Sequence, residues 1–233
     1  MIKHPSWYYP LYDRIFAIGR NYKRDISVIG SIAPIAGTRI AEIGAGTGHH
    51  VAEVLKLGPS SIIAIDWDES AVDILSCRFL DKEIVTVRHM DGFRAEYTVQ
   101  LTFAMFSLIQ QSLNLEEMRE WLEIAIRRLD QPGSAFVVEF LDIEVYKSQY
   151  KDGTKSIIYS MHDDFIALET RYDSGLQLNY SGVIDGSVTD YCVRILPFQL
   201  KYAEELAKGF GIQTRVLSLE PNNERRKLFA FVR

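Results

Sequence analysis

The sequence predicts an α/β fold built on a mostly parallel sheet with helices on both faces. Short apolar runs alternate with helical patterns between residues 38 and 141. Such alternation favours parallel neighbouring strands joined by right-handed crossovers. A glycine-rich turn follows the first apolar run, as expected where a strand turns sharply into a helix. After residue 145 the signals are strands and turns without helices, which predicts a small antiparallel insertion over about 145–196 that covers one end of the sheet.

The first half of the chain begins with a predicted helical cover over residues 1–36. A helical spacing of apolar residues, including Ile18, runs from Leu11 to Ile32, and Pro34 and Gly37 end it. Asp68 suits the cap of a later helix. Apolar runs and breaking residues then predict strands 38–43, 61–65, 84–88 and 101–106 and helices 47–57 and 69–80.

The second half continues this pattern on both sides of the insertion. Asn114 suits the cap of a helix over 115–129, because acidic residues fill its first turn and arginines its last. Its predicted buried face is Met118, Trp121, Leu122, Ala125 and Leu129. The remaining predicted elements are strand 135–141, helix 198–208 and strands 212–219 and 228–232.

The bulk composition narrows the classes of partner. The 233 residues suit one domain, and the net charge of −5 offers no general field for a phosphate backbone, so nucleic acid is not expected. Cys77 and Cys192 show no paired spacing, which favours reduced thiols. No apolar run approaches the ~20 residues of a membrane helix, and the N-terminus lacks the apolar region of a signal peptide. We therefore expect a cytoplasmic protein without a membrane partner.

The turn at Gly44, Gly46 and Gly48 predicts a nucleotide-type cofactor site, because glycines let the backbone approach a ligand closely. Dinucleotide sites use the spacing G-x-G-x-x-G, whereas the spacing here is G-x-G-x-G. Glu42 lies two residues before the first glycine. An acid there suits a cationic amino group and is unfavourable beside a pyrophosphate. Spacing and charge together favour S-adenosylmethionine (SAM) over NAD.

Two further acids end the next strands. Asp66 is placed to accept ribose hydroxyls, Trp67 follows it and can lie against an adenine, and Asp91 can accept from the adenine amino group. The carboxyl ends of parallel strands meet at one edge of the sheet, where such folds bind ligands. We therefore expect the three acids beside one crevice.

On these residues the chain resembles the class I SAM-dependent methyltransferases over nearly its full length. The resemblance implies an enzyme with a single domain over 1–233 and a Rossmann-like seven-stranded sheet in the order 3-2-1-4-5-7-6, with strand 7 antiparallel. It implies SAM as the cofactor. The residues it assigns to cofactor binding in this part of the chain are Glu42, Gly44, Ala45, Gly46, Gly48, Asp66, Trp67, Asp91 and Gly92.

A narrower resemblance rests on shorter motifs. Leu11-Tyr12-Asp13, Gly19-Arg20, Tyr22-Lys23, Met105-Phe106-Ser107 and the β-rich insertion are similar to N-methyltransferases of nucleotide-linked amino sugars and to glycine N-methyltransferase-like enzymes. In that group an N-terminal helix folds over SAM and an arginine meets the methionyl carboxylate. The resemblance assigns this role to Arg20 and adds Met105 and Phe106 to the cofactor site. The chain departs from the sugar enzymes at Phe16 and at Gln110-Gln111, so a related amine metabolite stays open as the acceptor.

Methyl transfer from a sulfonium is an in-line displacement, for which the protein mainly aligns the two partners. The expected acceptor is a small-molecule amine that offers a free lone pair. Candidate catalytic or orienting residues are Tyr12, Gln111 and His162, with Tyr22 nearby. O- or C-methylation, a non-catalytic partner subunit and a Rossmann oxidoreductase are the alternatives. The Asp and Asp-Asn pattern of metal-dependent O-methyltransferases is missing, so no metal is predicted, and a monomer and a homodimer both stay open.

Overall fold

The computed structural model describes residues 4–16, 19–220 and 223–233, and these form one sheet of seven strands and another of four. The strands of the larger sheet are β1 (Arg39–Ile43), β2 (Ser61–Asp66), β3 (Val85–His89), β4 (Leu101–Ala104), β5 (Ala135–Leu141), β10 (Gln213–Glu220) and β11 (Asn223–Val232). Those of the smaller sheet are β6 (Lys155–Met161), β7 (Asp164–Tyr172), β8 (Leu176–Ile184) and β9 (Ser187–Ile195).

The helices lie between these strands and before β1. They are α1 (Tyr8–Ile15), α2 (Tyr22–Gly30), α3 (His49–Leu55), α4 (Glu69–Arg78), α5 (Leu115–Arg127), α6 (Ile143–Gln149) and α7 (Leu200–Gly209), and a short 3-10 turn spans Leu108–Gln111. None of the helices within the described ranges is long and apolar enough to cross a membrane.

The larger sheet has the order β3-β2-β1-β4-β5-β11-β10. Strand β11 runs in the direction opposite to that of the other six strands. This confirms the predicted order 3-2-1-4-5-7-6 with an antiparallel seventh strand. All seven residues of β5 are buried, because helices cover both faces of a mostly parallel sheet. The carboxyl ends of β1, β2 and β3 are therefore neighbours at one edge.

Separate apolar cores pack on the two faces of this sheet. One joins α2, α3 and α4 to the sheet through residues such as Ile29, Val54 and Leu75. The other joins α5 and α7, where Trp121 and Ala203 are buried. The predicted apolar face of α5 is confirmed, because all five of its predicted members are buried.

The predicted continuous helix over 11–32 is wrong. The structure has α1 and α2 with a break between them, and Ile18, which was counted in the helix, lies outside the described residues. The Asn21 side chain starts α2 by accepting from the Arg24 N–H at 3.0 Å. Because α2 begins only at Tyr22, Arg20 lies outside both helices.

The predicted antiparallel insertion is confirmed as the meander β6-β7-β8-β9. Helix α6, which precedes it, was not predicted from the sequence. The insertion packs against the N-terminal segment around Trp7, Ile166 and Tyr180. Trp7 Nε1 also donates to Thr189 Oγ1 at 2.5 Å. The N-terminal segment and the insertion therefore form one wall beyond the carboxyl end of β5.

Candidate active site

The glycine turn after β1 is held against β2 by backbone hydrogen bonds. The N–H groups of Gly44 and Ala45 both donate to the Ile65 carbonyl, at 2.8 and 3.0 Å. Gly44, Gly46 and Gly48 have φ of 69°, 55° and 82°, a region that favours glycine. The turn therefore presents its backbone at the end of the sheet.

The three glycines differ in what surrounds them. A Cβ at Gly44 would lie 2.5 Å from Leu108 Cδ2, and one at Gly48 would lie 2.5 Å from Phe79 Cε2. The nearest heavy atom to a Cβ at Gly46 is Tyr9 Cε1, 3.9 Å away. Packing thus requires glycine at the first and third positions, whereas the second has room beside it.

The Asp66 carboxylate at the end of β2 is hydrogen-bonded to the backbone of this turn. Its Oδ2 accepts from the Gly46 N–H at 2.9 Å and its Oδ1 from the Asp68 N–H at 3.0 Å. Burial raises the pKa of Asp66 to about 6, against the opposing effect of these backbone hydrogen bonds. Each oxygen keeps capacity for a further donor, so the carboxylate can accept two neighbouring hydroxyls.

A cleft opens beside this turn, and the space inside it that protein atoms do not fill is about 470 Å³, part of which is open to solvent. Five residues predicted to bind the cofactor line it, which are Gly44, Asp66, Trp67, Asp91 and Gly92. The catalytic candidate Gln111 lines it as well. Its remaining lining was not assigned from sequence and consists of His4, Ile43, Ile65, Met90, Phe93, Leu108 and Trp121.

Asp91 is held in the turn after β3. Its Oδ1 accepts from the N–H groups of Phe93 and Arg94, at 3.0 and 3.3 Å, and its Oδ2 lies 3.1 Å from Arg94 Nη1. Gly92 is required next to it, because a Cβ there would lie 2.7 Å from Ile43 Cγ2. The backbone therefore fixes Asp91 at the rim of the cleft.

Glu42 provides the test of whether these residues fit SAM. It is 1% exposed, and burial raises the pKa of its carboxyl group against the opposing hydrogen bond of His50. Its Oε1 lies 3.1 Å from His50 Nδ1, while Oε2 has no hydrogen-bond partner among the described residues. An unpartnered buried carboxylate oxygen is costly, and a cationic amino group would satisfy it. The residues present therefore fit SAM.

Arg20 does not line the cleft. Its Nε donates to Asp25 Oδ2 at 2.6 Å, and its Nη2 donates to Glu139 Oε2 at 2.5 Å. Arg226 pairs with the same two acids, through Nε to Glu139 at 2.8 Å and Nη2 to Asp25 at 3.3 Å. The two arginines and two acids form a closed ring of four ion pairs, and the Arg20 guanidinium lies 3.7 Å from the centre of the Phe106 ring. Two donors of Arg20 therefore bind acids of the protein. Arg20 was instead expected, from the sequence, to bind the carboxylate of the cofactor.

A second cavity, of about 1040 Å³, lies between the ion-pair ring and the insertion. One side of it is largely apolar and aromatic, and the other is charged. The lining comprises Tyr8, Tyr12, Phe16, Gly19, Arg20, Phe106, Ser107, Gln111, Glu139, Leu141, Leu178, Tyr180, Val193, Ile195, Arg225 and Arg226. Of the predicted cofactor residues after β4, Phe106 lines this cavity, whereas Met105 is buried and lines neither.

Gln111 is the only described residue that lines both cavities. Its Nε2 donates to the Phe106 carbonyl at 3.1 Å, which orients the amide. Tyr12 lines the second cavity, and burial raises the pKa of its hydroxyl well above the ordinary value. The structure therefore brings two of the three catalytic candidates to the same cavity.

His162 is the candidate that the structure places elsewhere. It is exposed at the tip of the hairpin between β6 and β7 and lines neither cavity. Its φ of 54° belongs to the tight turn that joins the two strands. A polar turn sequence predicts a loop but does not say where its tip lies, so the sequence could not show that His162 lies away from both cavities.

Two residues of the N-terminal segment were missed as parts of the site. Asp13 Oδ1 accepts from Thr47 Oγ1 at 2.9 Å and lies 2.7 Å from His49 Nε2, so α1 is tied to the glycine turn. His4 lines the cleft, its Nδ1 lies 2.6 Å from the Tyr191 hydroxyl oxygen, and burial lowers the pKa of His4 to about 4. The sequence motif Leu11-Tyr12-Asp13 includes Asp13 but does not show what it would contact. No motif pointed to His4.

Comparison with known proteins gives one curated relative, and no protein-family model matches the chain. The relative is a demethylmenaquinone methyltransferase of Clavibacter sepedonicus, 25% identical over 132 residues. The match covers 55% of this chain and 53% of the relative, so the chain spans about half the length of that protein.

Solved structures match over almost the whole chain. A SAM-dependent methyltransferase from Clostridium acetobutylicum has a TM-score of 0.76 at 13% identity and covers 97% of both chains. The DesVI protein of Streptomyces venezuelae has a TM-score of 0.72 at 18% identity, with 98% of this chain and 99% of the other covered.

An amino pentose methyltransferase of Micromonospora echinaspora, solved with SAM bound, has a TM-score of 0.69 at 14% identity. That match covers 100% of this chain and 98% of the other. Identities this low establish the fold and leave the acceptor open. The chain has the fold of the class I SAM-dependent methyltransferases, as the resemblance of its sequence predicts.

Proposed function

We propose that this protein is a SAM-dependent methyltransferase that methylates an amine nitrogen of a small molecule. The observation that carries the proposal is the meeting of two cavities at Gln111. One cavity is lined by Gly44, Asp66 and Asp91, which suit an adenosyl group. The other is large enough for a small acceptor and is closed on one side by the insertion. Glu42, which suits the amino-acid tail, is buried and lines neither cavity.

The cofactor side follows from the contacts of the cleft. Asp66 is oriented by two backbone N–H groups to accept the ribose hydroxyls, and Trp67 lies on the same wall for the adenine. Glu42 keeps one oxygen for the cofactor amino group. When bound, SAM supplies a methyl group on a sulfonium, which needs no metal or base to leave.

Nitrogen is favoured over oxygen because, among the described residues that line the second cavity, none is suited to act as a base near neutral pH. Burial raises the pKa of Tyr8, Tyr12 and Tyr180, so these hydroxyls stay neutral. Although burial alone would raise it, the pKa of Glu139 is lowered to about 2 by Arg20 and Arg226. An alcohol would need a base to become nucleophilic, whereas a neutral amine already has its lone pair.

Gln111 is the residue proposed to orient that amine. Its Nε2 is committed to the Phe106 carbonyl, which leaves Oε1 as an acceptor at the junction of the cavities. An acceptor N–H bonded to Oε1 would be held beside the cofactor cleft. One of the similar structures is described as an amino pentose methyltransferase, and another as a sugar N-methyltransferase. We extend that class of acceptor to this protein, as an amino sugar or a related ring amine.

Two measurements test the proposal. Calorimetry should show SAM binding to the wild-type protein and a loss of affinity in Asp66→Ala. Mass spectrometry should then show a gain of one methyl group on ring amines, and none on matched analogues in which a hydroxyl replaces the amine. No binding of SAM would refute the function, methylation of the hydroxyl analogues would refute the choice of nitrogen, and binding without turnover of any acceptor would favour a non-catalytic role.

A further inference from the structure

His50 joins the acid of the glycine motif to the buried ring of ion pairs. Its Nδ1 lies 3.1 Å from Glu42 Oε1, and its Nε2 lies 3.2 Å from Asp25 Oδ2. The three side chains are at most 3% exposed. His50 is the second residue of α3, so the helix that follows the glycine turn places it between β1 and α2.

The proton on the Asp25 side of His50 is fixed by its surroundings. Burial raises the pKa of Asp25, but the hydrogen bond from His50 and the charges of Arg20 and Arg226 bring it below the ordinary value. Asp25 is therefore an ionised acceptor. His50 Nε2 must carry a proton, because a bare ring nitrogen facing an ionised carboxylate would be repelled.

The contact on the other side of His50 needs one proton as well. A hydrogen bond between Nδ1 and Glu42 Oε1 requires a proton on one of the two atoms. If it is on the nitrogen, an imidazolium faces a carboxylate; if it is on the oxygen, a neutral imidazole accepts from a carboxylic acid. Both arrangements contain the same number of protons, so the pair can change between them without exchange with solvent.

We infer that His50 is a positioning residue that holds this shared proton when a cationic amino group binds Glu42, so that Glu42 is ionised without releasing a proton to solvent. The inference rests on the proposed function, since the cation is the amino group of SAM. In the absence of His50, a carboxyl group buried at 1% exposure would retain its own proton and would have to lose it on binding.

The other groups around the pair do not provide a replacement. The Phe103 and Phe106 rings that face His50 carry no proton to exchange. The polar and charged groups that face His50 or Glu42 from the neighbouring elements are Tyr22 and Asp25 on α2, Arg20 before it, and His49 on α3. His49 is directed to Asp13, and Arg20 is committed to Asp25 and Glu139.

The test is calorimetry of SAM binding in buffers with different ionisation enthalpies, which counts the protons exchanged. Between about pH 7 and pH 7.5, at least about one unit above the pKa of about 6 of Asp66, the wild-type protein should release close to no protons on binding. His50→Gln should release a substantial fraction of one proton at the lower pH. Its affinity should fall by up to about tenfold for each unit by which pH decreases, because a proton must leave before the cation binds.

Three controls make this result specific. His49→Gln, the neighbouring histidine, should match the wild type in proton exchange. His50→Gln combined with Glu42→Gln should release no proton, because the carboxyl group is gone. Methylthioadenosine, which has no amino-acid tail, should bind His50→Gln and wild type with the same proton exchange.

The outcomes separate this inference from the proposed function. If the wild-type protein does not bind SAM, the proposed function fails. If it binds SAM and His50→Gln has the same affinity, pH dependence and proton exchange as wild type, the inference about His50 alone is overturned. Release of a full proton by the wild type would also overturn it, and that measurement stands even if His50→Gln fails to fold.

Discussion

Arg20 Nη2 lies 2.5 Å from Glu139 Oε2, and this buried ion pair links the segment before α2 to strand β5. Arg226 on β11 and Asp25 on α2 complete the ring. The Phe106 N–H also donates to Glu139 Oε2 at 2.8 Å. One carboxylate thus anchors three parts of the wall of the second cavity.

Glu139→Gln should destabilise the protein by about 3–5 kcal/mol, because it removes the buried acid that pairs with both Arg20 and Arg226. The free energy of unfolding in urea measures this. Glu144→Gln, which removes an exposed ion pair with Lys147, is the matched control and should have far less effect. Equal effects of the two substitutions would contradict the role of the ring.

Acid should weaken the same ring within a defined pH range. The pKa of Glu139 is about 2 in the folded protein, against 4.5 as its ordinary value. Because the folded value is the lower one, the contribution of Glu139 to stability is fully present above about pH 4.5 and is lost as pH falls towards 2. The wild type should therefore lose more stability across this range than Glu139→Gln does.

SAM binding should weaken as pH falls through about 6. Burial raises the pKa of Asp66 to about 6 in the free protein, and a protonated carboxyl group is a poorer acceptor for ribose hydroxyls. The affinity should fall by up to about tenfold per pH unit below that value. Asp66→Asn should bind more weakly at neutral pH and should lose this dependence. An unchanged pH profile in Asp66→Asn would assign the effect to another group.

Gly46→Ala and Gly48→Ala should separate binding from stability. Both positions have positive φ, which costs an alanine about 1–2 kcal/mol. Gly46 has room for a methyl group, so Gly46→Ala should fold, with its main effect a loss of SAM affinity. At Gly48 the added Cβ would also meet Phe79 and Leu75, so Gly48→Ala should lose roughly 2–5 kcal/mol of stability. Thermal unfolding and calorimetry with SAM measure the two effects.

Gln111→Ala should lower kcat/KM for the acceptor by roughly 10–100-fold while leaving SAM affinity and stability nearly unchanged, because it removes orientation rather than packing. Gln110→Ala is the contrasting variant. The Gln110 side chain donates to the Leu141 and Leu196 carbonyls and accepts from the Leu141 N–H, so its loss should destabilise the fold. A normal kcat/KM in Gln111→Ala would remove this residue from the mechanism.

His162→Ala should change kcat/KM by less than about twofold, within the range typical of exposed surface substitutions. The side chain lies at an exposed hairpin tip away from both cavities. Steady-state rates with the acceptor identified for the wild type measure this. A large loss of activity would mean that the hairpin moves to the acceptor during turnover.

The order of the main sheet was implied by the resemblance to a known family. The sequence by itself determined the alternation of strands and helices, the antiparallel insertion and the residues at the ends of the first three strands. These follow from local periodicity, turn residues and spacing, which act over a few positions along the chain. A glutamate within the apolar run of β5 was also visible. The sequence did not show which residue would pair with this glutamate, because several arginines were available.

Only the tertiary structure decided which distant side chains meet. Arg20 and Glu139 are 119 positions apart, and Asp25 and His50 are 25 apart, so no local pattern encodes these contacts. The fold also placed Gln111 between two cavities and His162 outside both. Buried charges take the partners that neighbouring strands and helices bring within hydrogen-bond distance, and that choice exists only once the sheet is assembled.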